Sequence, residues 1–306
     1  MRVCLPFSPD ELVGVPDVYE YVVADATRHW PKEAAESEVY VPAYRFDRRP
    51  IEVIERMPNL AVVQTLTAGI DHFLPIPKGV MLCNATGVHD ASASELAVGL
   101  MIAAQRDFAG VFRSQQRQEW QPQHMTSSLA DKRVLVVGAG SIARAIERRL
   151  KGFECTVTLV GRTARDEVRA VSELPVLLAR SDIVVLVVPL TDETRGMVDR
   201  KFLTTMPDGA LLVNVARGSI VVTADLLAEL QAGRLRAALD VTDPEPLPPS
   251  HALWTAPGVI VFPHRGGASQ AMWPRVYRLV SDQLLRLATG RPLLNVVSEA
   301  QGRDVQ

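Results

Sequence analysis

Along this chain, short unbroken apolar runs alternate with segments whose apolar residues recur at helical spacing. In the second half the runs fall at 134–137, 156–160, 183–188, 211–213, 237–241 and 259–262. Runs this short and largely apolar fit strands covered on both faces. Between them, Ile142, Ala143, Ile146 and Leu150 mark one face of a helix, with Arg144, Glu147, Arg148 and Arg149 spaced among them. Thr223 is expected to cap a helix over 224–232, with Gly233 just past its end. The first half repeats the theme with runs at 3–5, 21–23, 39–41, 61–63 and 80–82. A long helix is expected over 95–118 and another over 271–288. The proline-dense stretch 244–249 reads as a rigid loop, and no internal repeat or low-complexity linker appears.

Strand and helix alternating in this way predict parallel sheets with helices on both faces. The expected fold class is therefore α/β, with two doubly wound α/β/α domains. One is a Rossmann-type dinucleotide-binding domain at 96–269. The other is a flavodoxin-like substrate domain, split between 1–95 and 270–306. A length of 306 residues agrees with two domains of about 150 each.

Composition removes several classes of function. Hydrophobic residues make up 47% and charged residues 22%, a globular balance. The net charge of −2 lacks the basic excess that neutralises phosphates, so nucleic acid is not expected as a partner. Nor does that charge draw the chain to an anionic membrane. The longest apolar runs fall far short of the ~20 residues of a membrane span. The apolar stretch at 3–7 holds Pro6 and is soon followed by Asp10 and Glu11, unlike a secretory signal. Cys4, Cys83 and Cys155 show no C-x-x-C spacing, which argues against a disulfide framework or a metal site. A soluble, cytoplasmic protein with reduced thiols is expected.

The run at 134–137 leads directly into Gly138-Ala139-Gly140-Ser141-Ile142-Ala143, a G-x-G-x-x-A fingerprint opening a helix. Gly138 would allow the tight turn, Gly140 would let the backbone approach a diphosphate, and Ala143 would keep helix and strand close. The N–H groups around Ser141 and Ile142 would face the phosphates at the positive end of the helix dipole. At the end of the next strand an NAD site usually carries an acid that holds the ribose 2′-hydroxyl. Here the chain reads Gly161-Arg162-Thr163-Ala164-Arg165, and no acid appears before Asp166. A guanidinium pairs with a 2′-phosphate through charge-assisted hydrogen bonds. NADP(H) is therefore the expected cofactor, held by Arg162, Thr163 and Arg165, with NAD(H) as the alternative.

Three further segments follow predicted strands: 214–218 with Arg217, 240–246 with Asp240 and Glu245, and 263–267 with His264. Ligands of open parallel sheets bind beyond the carboxyl ends of the strands. A cation, a carboxylate and an imidazole gathered there would suit the reduction of a 2-keto acid.

With Thr67-Ala68-Gly69-Ile70-Asp71-His72, the Gly138 fingerprint, Pro189-Leu190 and Glu193-Thr194-Arg195, these segments resemble the D-isomer-specific 2-hydroxyacid dehydrogenase family. That group includes glyoxylate/hydroxypyruvate reductases and phosphoglycerate dehydrogenases, and the similarity runs from about Val62 to Val297. The resemblance implies that Arg217 binds the substrate carboxylate and polarises the keto oxygen. It implies that His264 is the general acid and that Glu245 fixes its tautomer. The N–H groups of Ala68 and Gly69 would hold the substrate carboxylate from the other domain, and Asp240 would contact the nicotinamide carboxamide. Pro189, Ala216 and Gly267 complete the expected cofactor-binding set. A homodimer is expected, with domain closure over a small 2-keto or 2-hydroxy acid.

Some residues depart from that family's pattern. Arg162 replaces the usual acid, and Arg265 stands where an apolar residue is usual. Near Ala68 the lysine of the phosphite-oxidising relatives is missing, and the short C-terminus leaves no room for an added regulatory domain. Two other readings are an NAD(H)-sensing corepressor-like binding protein and a reductase of bulkier 2-keto acids. His72 and His89 are read as structural residues of loops. His29, His124 and His251 are read as surface residues, and Trp120, Trp254 and Trp273 as packing or interface residues.

Overall fold

A computed structural model describes residues 1–25, 30–47 and 49–298. The chain divides into two compact units, Met1–His89 with Gln270–Gln306, and Asp90–Ser269. The first unit opens with strands β1 (Arg2–Leu5), β2 (Glu20–Val23), β3 (Val39–Tyr40), β4 (Val62–Gln64) and β5 (Met81–Cys83). The second holds β6 (Arg133–Val137), β7 (Thr156–Gly161), β8 (Val168–Ala170), β9 (Ile183–Leu186), β10 (Leu211–Asn214), β11 (Arg236–Leu239) and β12 (Val259–Val261). The chain then returns to the first unit with β13 (Val296–Ser298).

In the first unit the strand order is β13-β5-β4-β3-β1-β2, with β1 to β5 parallel and β13 antiparallel on β5. From the other edge this is the 2-1-3-4-5 order of flavodoxin-like sheets. The second sheet runs β12-β11-β10-β9-β6-β7-β8 and its strands are all parallel. Counted from its own first strand, the order is 3-2-1-4-5-6-7, the Rossmann order with one strand added. The order reverses between β6 and β9, and such a switch point opens a crevice beyond the strands' carboxyl ends.

The unbroken apolar runs are explained by burial on both faces. Val134, Val136, Ile183, Val185, Leu211 and Val213 enter one core cluster, together with Ala143, Ile146 and Leu150. Their alternates Leu135, Val137, Val184, Leu186 and Leu212 enter the opposite cluster, with Leu226 and Leu230. Successive side chains of a strand point to opposite faces, so both sets must be apolar.

Several local features differ from the sequence reading. The stretch expected as one helix over 95–118 forms two, Asp90–Gln105 and Phe108–Gln116. Asp107 takes a left-handed backbone (φ 51°), and its carboxylate accepts the Gly110 N–H at 3.1 Å, which starts a new helix. The first unit ends at His89, whereas the reading cut the chain at Glu95. Helix Asp90–Gln105 buries Ala97, Val98, Leu100 and Met101 in the second unit's core and carries its first turn with it. Thr223 is the first residue of helix Thr223–Gln231, not its cap, and its hydroxyl donates to the Asp243 carbonyl at 2.8 Å. The edge strands β8 and β13 were not expected: β8 carries Arg169 and β13 carries Ser298, so neither reads as an unbroken apolar run.

Asp182 ties the base of this sheet together. Its carboxylate accepts the backbone N–H of Arg133 at 2.8 Å, Nε at 3.0 Å and Nη2 at 2.9 Å. Hydrogen bonds from the Arg133 side chain hold the Asp182 carboxyl below its ordinary 3.8. A lowered acid contributes stability that is present above the unfolded value and lost as pH falls through the folded one. Asp182→Asn should therefore lower stability by about 1–2 kcal/mol near neutrality. In urea titrations the gap from the parent should close as pH drops below 3.8.

Candidate active site

β6 runs into Gly138, which has φ 132°, a region open to glycine alone. A Cβ there would lie 2.7 Å from the Val187 carbonyl oxygen, at the end of β9. Gly140 is exposed, and a Cβ there would meet open space. It is the N-cap of helix Ser141–Leu150, and no side chain caps that end. Ser141 is half-buried and donates its hydroxyl to Asp90 Oδ1 at 2.8 Å. Ile142 is half-buried and Ala143 is buried against the sheet. An open backbone at the second glycine, an uncapped helix start and a small residue one turn on fit a dinucleotide diphosphate.

At the end of β7, Arg162, Thr163 and Arg165 are all exposed. The loop closes on itself: Arg165 N–H donates to the Val168 carbonyl at 3.1 Å, and Val168 N–H donates back at 2.7 Å. Arg165 Nη2 reaches the Ala139 carbonyl at 3.5 Å, so its guanidinium lies over the fingerprint turn. After β9, the carbonyl of exposed Pro189 accepts the Thr194 hydroxyl at 2.7 Å, which closes the loop at 189–194.

The expected catalytic residues lie at the ends of three adjacent strands, β10, β11 and β12. Buried Asn214 shapes the first loop. Its Oδ1 accepts the Ala216 N–H at 3.0 Å, and its Nδ2 donates to the Arg217 carbonyl at 2.9 Å. Arg217 is half-buried, and its Nη1 donates to the Ala216 carbonyl at 2.9 Å. At Gly218 a Cβ would lie 1.9 Å from the Thr242 carbonyl oxygen, so only glycine lets this loop touch the end of β11. From the next loop, Glu245 Oε1 hydrogen-bonds His264 Nδ1. The His264 side chain is 18% exposed and that of Glu245 38%, so the pair is held at the edge of solvent. Asp240 is buried, with its oxygens turned to the backbone of 264–266. Arg265 is exposed and Gly267 half-buried.

In the first unit, Ala68 and Gly69 follow β4 in a loop fixed by its own hydroxyls. Thr65 donates to the Thr67 carbonyl at 2.7 Å, Thr67 to that of Gly69 at 2.8 Å, and Asn84 Nδ2 to that of Ala68 at 2.9 Å. His89 is buried, with Nε2 at 2.7 Å from the Leu66 carbonyl. His72 packs its ring on Phe73. His124 is exposed, and His29 lies outside the described residues. His251 is half-buried rather than superficial, and its Nδ1 accepts the Leu253 N–H to cap a short turn. Trp273 stacks on Tyr277, Trp254 donates to the Pro248 carbonyl, and Trp120 is almost wholly exposed.

Asn214, Gly218 and Gly266 were not singled out in the sequence. Asn214 acts by bonding its side-chain amide to the loop backbone and the two glycines by close backbone approach, and only their position at the ends of predicted strands pointed toward them. Among the described residues, no three His, Cys, Asp or Glu side chains are grouped to hold a metal, and no helix is long and apolar enough to cross a membrane.

A dinucleotide cradle beside a cation, a carboxylate and an imidazole defines a dinucleotide-dependent oxidoreductase. The model of the D-isomer specific 2-hydroxyacid dehydrogenase NAD binding domain matches residues 98–266. A glyoxylate reductase of Thermofilum pendens is 33% identical, over 80% of this chain and 76% of its own. A glyoxylate reductase/hydroxypyruvate reductase of Mus musculus is 35% identical, over 74% of each chain. Among solved structures, an NADPH-dependent glyoxylate/hydroxypyruvate reductase from Sinorhizobium meliloti, in complex with NADP and sulfate, matches with a TM-score of 0.81. Its identity is 26%, over 97% of each chain. The chain belongs to the D-isomer specific 2-hydroxyacid dehydrogenase family and is an NAD(P)-dependent oxidoreductase.

Gly138→Ala should weaken NADPH binding at least tenfold and lower the melting temperature, since the added methyl cannot clear the Val187 carbonyl. Fluorescence titration and a thermal melt would measure the two effects. Wild-type affinity would contradict the placement of the cradle.

Proposed function

We propose that this chain reduces a small 2-keto acid, glyoxylate or hydroxypyruvate, to the D-2-hydroxy acid, with NADPH as the preferred cofactor. The observation that carries this reading is the His264–Glu245 hydrogen bond, at a strand end two removed from that of the Arg217 loop. When bound at Gly138, Gly140, Ser141 and Ile142, the nicotinamide cofactor supplies a hydride to the keto carbon.

Arg217 pairs its planar fork of donors with the substrate carboxylate and draws electron density toward the keto oxygen. Because Nδ1 of His264 is engaged by Glu245, Nε2 is the nitrogen assigned to deliver a proton to the nascent alkoxide. The Glu245 carboxylate holds the ring in that tautomer and orientation. The N–H groups of Ala68 and Gly69 are assigned to the substrate carboxylate. Pro189, Ala216 and Gly267 are assigned to the cofactor. Arg162, Thr163 and Arg165 are assigned to the ribose 2′-phosphate, supported by two exposed cations and no acid directly after β7. The Sinorhizobium relative, NADPH-dependent by its description, supports the same preference.

We also assign a homodimer. Helix Phe108–Gln116 buries Gly110 and Ser114 but exposes Phe108, Val111 and Phe112. Trp120 is 98% exposed and Met125 94%. These exposed apolar side chains are assigned to the interface between two copies of the chain. The three free cysteines support a reducing, cytoplasmic setting.

The reading is tested by oxidation of NADPH and NADH over a panel of 2-keto acids. Glyoxylate or hydroxypyruvate should be reduced with a lower KM for NADPH, and a tenfold preference for NADH would remove the arginines' assignment. His264→Ala should lower kcat by roughly 10²–10⁴-fold while cofactor binding is kept; unchanged turnover would sink the mechanism. Sedimentation should give a dimer, and Trp120→Lys with Phe112→Lys should give monomers.

A further inference from the structure

Asp240 stands just beyond β11 and is 3% exposed. Three of its oxygens take the N–H groups of three successive residues. Its backbone carbonyl accepts that of His264 at 2.7 Å, Oδ1 that of Arg265 at 2.8 Å, and Oδ2 that of Gly266 at 2.9 Å. His264 itself has φ 49°, a left-handed backbone that a residue with a side chain rarely adopts without outside support. The fit allows no added atom: a Cβ on Gly266 would lie 2.7 Å from Asp240 Oδ2.

We propose that Asp240 is a positioning residue, whose three-point clamp on 264–266 holds His264 in the left-handed turn that brings its ring to Glu245. The proposal rests on the reading of His264 as proton donor and assigns Asp240 a task separate from any contact with cofactor. Both carboxylate oxygens are committed to backbone donors, as a clamp requires. Burial pushes the Asp240 carboxyl up from its ordinary range, and the two N–H groups pull it only part of the way back. A neutral amide at this position would lose one acceptor, because its NH₂ would face a backbone N–H.

Two variants open the clamp from opposite sides. Asp240→Asn replaces one acceptor with a donor, and Gly266→Ala crowds the same oxygen while leaving the carboxylate in place. Each should lower kcat for the 2-keto acid about 10- to 100-fold through misplacement of the ring. The Kd for NADPH, read by fluorescence titration without substrate, should stay within about threefold. Because the clamp acts through His264, Asp240→Asn should cause no further loss in a His264→Ala background, a non-additivity that general loosening would not produce. If Asp240→Asn does not fold, Gly266→Ala carries the same comparison in both backgrounds.

Additive losses in the double variant, with His264→Ala itself impaired, would overturn the clamp and leave the general acid standing. A rise in Kd for NADPH that matches the fall in kcat would overturn it in favour of a cofactor contact. Full turnover by His264→Ala alone would remove both the clamp and the reading beneath it.

Discussion

Burial of a parallel sheet on both faces is the constraint from which the chemistry of this chain follows. Seven strands that run the same way bring all their carboxyl ends to one edge, and the loops leaving that edge are the ones free of helix packing. The Gly138 turn, the Arg162 loop and the segments holding Arg217, Glu245 and His264 all leave from it. They span more than a hundred residues of sequence and are neighbours because β6, β7, β10, β11 and β12 belong to one sheet. The cores on either side of that sheet give the loops a rigid base, and rigid placement is what the proposed proton donor and carboxylate binder require.

Close backbone approach completes the edge. Gly138 lies against the Val187 carbonyl, Gly218 against the Thr242 carbonyl and Gly266 against the Asp240 carboxylate. Each contact joins the loop of one strand to the end of another, at distances where a methyl group would collide. The glycines are therefore sites where neighbouring loops lock together. Buried Asn214 and Asp240 do the same with side-chain oxygens, satisfying backbone N–H groups that the turns would otherwise leave unpaired.

Electrostatics is local where the total is uninformative. A net charge of −2 gives no hint of anion binding, yet Arg162 and Arg165 stand exposed after β7 and half-buried Arg217 follows β10. Charges of opposite sign elsewhere, such as Asp182 on Arg133, form pairs that hold elements together. What counts is which cations stand at the carboxyl ends of the strands.

Much of this was legible in the residues alone. Continuous apolar runs announced strands buried on both faces, because side chains alternate between two cores. The G-x-G-x-x-A turn announced a cradle, because few other residues permit that backbone. The missing acid after β7 announced a cofactor preference, because a carboxylate and a phosphate repel. Arg217, Glu245 and His264 were nameable from their places after predicted strands and from the family pattern they match. Tertiary structure alone decided strand order, since pairing partners lie far apart in sequence and periodicity does not encode them. It broke the expected helix at Asp107, where a side-chain cap outweighs apolar spacing. It also turned both oxygens of Asp240 onto the backbone of 264–266, a contact between two loops that no local pattern contains.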